Sequence, residues 1–80
     1  MTRWEWHLVL EHGFVWDPLK EEIEQACALE DPATVRLSAT DLEDLIAEIA
    51  GAANHARSRR LMLELDEVVE ILESYEERFH

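Results

Sequence analysis

Arg3-Trp4-Glu5-Trp6-His7-Leu8-Val9-Leu10-Glu11 is the stretch on which the fold turns. Trp4, Trp6, Leu8 and Leu10 fall on one side of a two-residue period. Arg3, Glu5, His7 and Glu11 fall on the other, and Val9 is the one apolar residue out of step. That alternation, with two Trp, predicts a half-buried strand over residues 3–11. Gly13 then permits a turn, and Phe14, Val15 and Trp16 lead toward the next element.

Asp17-Pro18 predicts a helix start, with Asp17 as cap and Pro18 at the first helical position. Leu19, Ile23, Ala26 and Cys27 make an apolar stripe, and Asp31-Pro32 predicts the stop near Glu30. Thr34-Val35-Arg36-Leu37 alternates briefly and reads as a second strand, reached by a helical crossover as parallel neighbours are. A two-stranded sheet is marginal alone and must lean on helices or gain strands from another chain.

Ser38-Ala39-Thr40-Asp41 predicts another helix start, with Ser38 or Thr40 as cap. Leu42, Leu45, Ile46, Ile49, Ala53 and Ala56 share its apolar face. Ala47, Ala50, Gly51 and Asn54 form a face of short side chains that a second helix could approach closely. The pattern loosens over residues 54–58 and resumes with Leu61, Leu65, Val68, Leu72, Tyr75 and Phe79 on one side. A turn there gives a helical hairpin whose two stripes bury each other. The competing reading is one helix from Asp41 to Phe79, which would imply a coiled coil or oligomer.

The expected fold is therefore α+β in the order β-α-β-α-α, with the last two helices as a hairpin covering the small sheet and the first helix. The alternative is an all-helical dimer with a long C-terminal helix. Eighty residues leave room for one domain, 1–80.

Composition bounds the function. The net charge is -12, from 19 acidic and 7 basic residues. This argues against direct nucleic-acid binding and against docking on anionic membranes, both of which need clustered Lys and Arg. With 48% apolar residues the chain is able to fold. A lone Cys27, no signal-peptide pattern in Met1–Leu10 and no long apolar run lead to the expectation of a cytoplasmic protein.

The charge is uneven. Residues 17–31, 38–50 and 61–80 sum to -5, -4 and -6, while 51–60, with Arg57, Arg59 and Arg60, sums to +3. On the last helix Asp66, Glu67, Glu70, Glu73 and Glu77 line one side with no Lys to pair them. Like charges at that spacing cost roughly 0.2–0.5 kcal/mol per pair. A surface selected for solubility alone mixes both signs, so the stripe points to a basic partner. The Arg cluster suits the C-terminal end of the preceding helix, or pairing with Glu48 or Glu64.

No catalytic, cofactor or metal site is expected. His7, His12, His55 and His80 form no close ligand pair, and Asp44, Glu48 and His55 share only a solvated sector. Cys27 lies on an apolar stripe, and there is no Gly-rich phosphate loop. The function expected is that of a small acidic, non-enzymatic protein-binding module that acts by binding or blocking a protein with a basic surface. The candidate contact residues are Asp66, Glu67, Glu70, Glu73 and Glu77, the aromatic pair Trp4 and Trp6, and Arg57, Arg59 and Arg60. One alternative is a DNA-mimic inhibitor of a nucleic-acid-binding or bacterial defence complex; the general composition resembles such inhibitors. Another is an antitoxin-like or transcription-associated module, and a homodimer is a further expectation.

Overall fold

The computed structural model describes residues 1–77. They form four helices: α1 (Arg3–His12), α2 (Leu19–Leu29), α3 (Ala39–Asn54) and α4 (Arg59–Glu77). The chain divides into two compact units, Met1–Arg36 and Leu37–His80. No strand occurs among the described residues, which overturns the expected two-stranded sheet.

The reason lies at Thr2. Its side chain accepts from the Glu5 backbone N–H at 3.2 Å, and the Thr2 N–H donates to Glu5 Oε1 at 2.8 Å. This capping box supplies partners for donors that a first helical turn leaves orphaned. Asp31 adds another, accepting from the Arg3 N–H at 3.0 Å. Once residues 3–12 wind as a helix, Val9 ceases to be the exception. It is fully buried with Trp6, three residues earlier, while Trp4 turns away and is 57% exposed. The 34–37 segment then has no strand to pair with and stays irregular.

The first unit packs α1 on α2, with Trp6, Val9, Leu19 and Ile23 buried. The segment after α2 folds back on the start of α1. Ala33 N–H donates to the Met1 carbonyl at 2.8 Å, and buried Trp6 donates its indole N–H to the Ala33 carbonyl at 3.2 Å. Helix α2 starts at Leu19, one residue later than expected, with Pro18 in the cap position and no side-chain cap. The expected Asp17 cap is thus absent.

The second unit is the expected hairpin of α3 and α4. Ser38 Oγ accepts from Asp41 N–H at 3.0 Å and caps α3. Ser58 Oγ accepts from Leu61 N–H at 3.1 Å and starts α4. Between them the chain leaves the helix over 55–58, which rules out the single helix from Asp41. The all-helical alternative thus fits in class, though its long C-terminal helix does not. Leu42, Leu45, Ile49 and Ala53 of α3 and Leu65, Val68 and Leu72 of α4 are all buried. Each large aliphatic among them contributes about 1.5–3 kcal/mol. Phe79, placed on the same stripe by its spacing, lies outside the described residues.

The short-side-chain face of α3 does not receive a helix. Ala47 and Asn54 are exposed, and a Cβ added at Gly51 would meet nothing within 4 Å. The larger apolar side chains on the other face bury more area, and they decide which way α3 turns.

Candidate functional site

Helix α4 is two-faced because its apolar residues recur at helical spacing. Leu65, Val68 and Leu72 turn inward with Leu61 and Tyr75 half-buried. The opposite side therefore faces solvent. Asp66, Glu67, Glu70, Glu73 and Glu77 are all exposed there. At about 100° per residue they share one sector roughly 120° wide. No basic residue occurs from Leu61 to Glu77. The five carboxylates span about 16 Å of helix axis at 1.5 Å per residue.

The start of α4 carries charge in the wrong sense for its own dipole. A helix favours acids in its first turn. Here the first turn holds Arg59 and Arg60 and no acid. The Arg residues were expected to suit the C-terminal end of the preceding helix. Only Arg57 follows α3 directly, in the 55–58 connection. Arg60 does meet Glu64, as the sequence suggested, at 3.2 Å. Such an exposed i, i+4 pair contributes only about 0.3–0.5 kcal/mol. All three Arg are exposed.

The candidate aromatic pair separates. Trp6 is 2% exposed and spends its indole N–H on Ala33, so it presents no surface to a partner. Trp4, on the other side of α1, does. Leu63, absent from the expected contact set, is 50% exposed and sits within the acidic sector of α4. Its signal was legible, because Leu63 falls off the stripe of Leu61, Leu65, Val68 and Leu72.

Elsewhere, an open groove of about 440 Å³ in the first unit is walled by Glu22, Ala26, Leu29, Val35 and Arg36. Cys27 is half-buried; desolvation raises its thiol pKa and nearby Arg3 partly opposes the shift. Arg3 also donates from Nε to the Cys27 carbonyl at 2.6 Å. Among the described residues no group of three His, Cys, Asp or Glu could hold a metal ion, and no helix is long and apolar enough to cross a membrane. The chain matches no family model, and neither a curated protein nor a solved structure is similar to it.

Proposed function

We propose that the chain is a protein-binding module that docks a basic surface on the outer face of α4. The observation that carries this is the run of five exposed carboxylates on one sector of a helix whose other side is buried. Nothing in the hairpin core needs them. They repel one another. A cationic partner would relieve that cost, and the local field would speed its approach at low salt. Binding itself is the mechanism: the partner is recruited or its basic surface is blocked.

The test is capture of the partner from the native host on immobilised protein, eluted with a salt gradient. Replacing Glu70, Glu73 and Glu77 by Gln should abolish capture while leaving the helical content intact.

A mimic of nucleic acid is the second reading, and charge density favours it. Five carboxylates over the α4 face give one charge per about 4 Å of axis. A single DNA strand carries one per about 3.4 Å. The captured protein would then be one whose basic groove binds nucleic acid, and added DNA would displace the module. A captured protein that DNA does not displace counts against mimicry and leaves the docking surface standing.

A further inference from the structure

Charge around Leu63 is antisymmetric. Arg60 and Arg59 lie three and four residues before it, and Asp66 and Glu67 lie three and four after it. Steps of three and four return to the same side of a helix, so all five residues share the outer face of α4, and all five are exposed. In the second unit Leu63 is the large apolar residue most open to solvent among those described.

An antisymmetric pattern of this kind is self-complementary when the helix meets a copy of itself running the other way. We propose that this face pairs two copies of the chain through antiparallel α4 helices that cross at Leu63. In that register Leu63 meets Leu63 of the second copy. Arg59 and Arg60 come level with Glu67 and Asp66 of the second copy. The two-fold axis repeats each pairing, as an isologous interface requires. Arg59 and Arg60, which oppose the dipole of their own helix, then lie along the acidic stretch of the other.

The interface does not depend on a foreign partner. It uses the N-terminal half of the face and leaves Glu73 and Glu77 outside the pairing. One helix crossing with a single apolar contact falls toward or below the low end of stable interfaces, about 1,200 Å². The dimer is therefore weak, concentration-dependent and sensitive to salt.

Sedimentation equilibrium on the full chain tests it across a protein-concentration series at low and high salt. The wild type should shift from monomer to dimer with concentration at low salt and remain monomeric at high salt. Arg59→Glu with Arg60→Glu should be monomeric alone, and so should Asp66→Lys with Glu67→Lys. Mixed together, the two variants should form a heterodimer, because every pairing across the axis then joins opposite charges. Circular dichroism confirms that each variant is folded. A wild type that stays monomeric at every concentration, a swapped variant that still self-associates, or a mixture that fails to pair would each overturn the proposal. Glu73→Gln with Glu77→Gln should leave the dimer intact while weakening capture of a basic partner, which separates this interface from the proposed function.

Discussion

The indole N–H of Trp6 donates to the carbonyl of Ala33 at 3.2 Å and ties the middle of α1 to the segment that follows α2. The same Ala33 meets Met1 through its backbone, so Trp6 anchors the closure of the first unit. Trp6→Phe keeps most of the packing and loses the donor, which should cost about 1–2 kcal/mol. Trp6→Ala should cost about 3–5 kcal/mol. Urea unfolding checks both. An unchanged midpoint for Trp6→Ala would contradict the burial. Trp4→Ala is the variant that tests an aromatic contact with a partner, since Trp4 is exposed and its loss should leave stability nearly unchanged.

Gly51 lies inside α3 with open space where a Cβ would stand. Gly51→Ala should stabilise the chain by about 0.5–1 kcal/mol through the lower backbone entropy of the unfolded state. Loss of stability would mean that a helix packs closely there after all.

Ser58 accepts from the Leu61 N–H at the start of α4. Ser58→Ala should cost about 1 kcal/mol, and Ser58→Asp should recover it by keeping an acceptor and adding a charge that suits the helix dipole. Thermal melts of the two variants decide the point.

Desolvation raises the Cys27 thiol pKa on folding. Between the unfolded and folded values the unfolded chain holds fewer protons, so stability falls as pH climbs through that alkaline window. Below the unfolded value the group contributes no slope. Cys27→Ser should remove that part of the alkaline loss. Wild-type thiol labelling near neutral pH should be slower than for an unfolded control, because little thiolate is present.

Much of the second unit was legible in sequence. The apolar spacing of Leu42, Leu45 and Ile49 matched by Leu65, Val68 and Leu72 is long enough to fix both helices, and it also leaves the acidic sector outside. Ser38, one of the two caps expected, is the one used. Residues 3–11 misled because nine residues of alternating character fit a strand and, with Trp6 and Val9 inward, fit a helix as well. Thr2 and Glu5 carried the deciding signal, a reciprocal cap that hydrophobic periodicity does not register. The contact face of α3 turned on side-chain size, with Leu and Ile burying more than the Ala47–Gly51 side. Trp6 could not be told from Trp4 by composition; only the helical rotation puts one in the core and the other in solvent.

We propose that the exposed carboxylates of α4 meet a basic protein surface. This is tested most directly by loading native-host extract onto the immobilised wild type and onto the Glu70→Gln, Glu73→Gln, Glu77→Gln variant, then eluting both with the same salt gradient. A basic partner should leave the wild type as salt rises, and the variant should not retain it. A partner held equally by both proteins and indifferent to salt would contradict it.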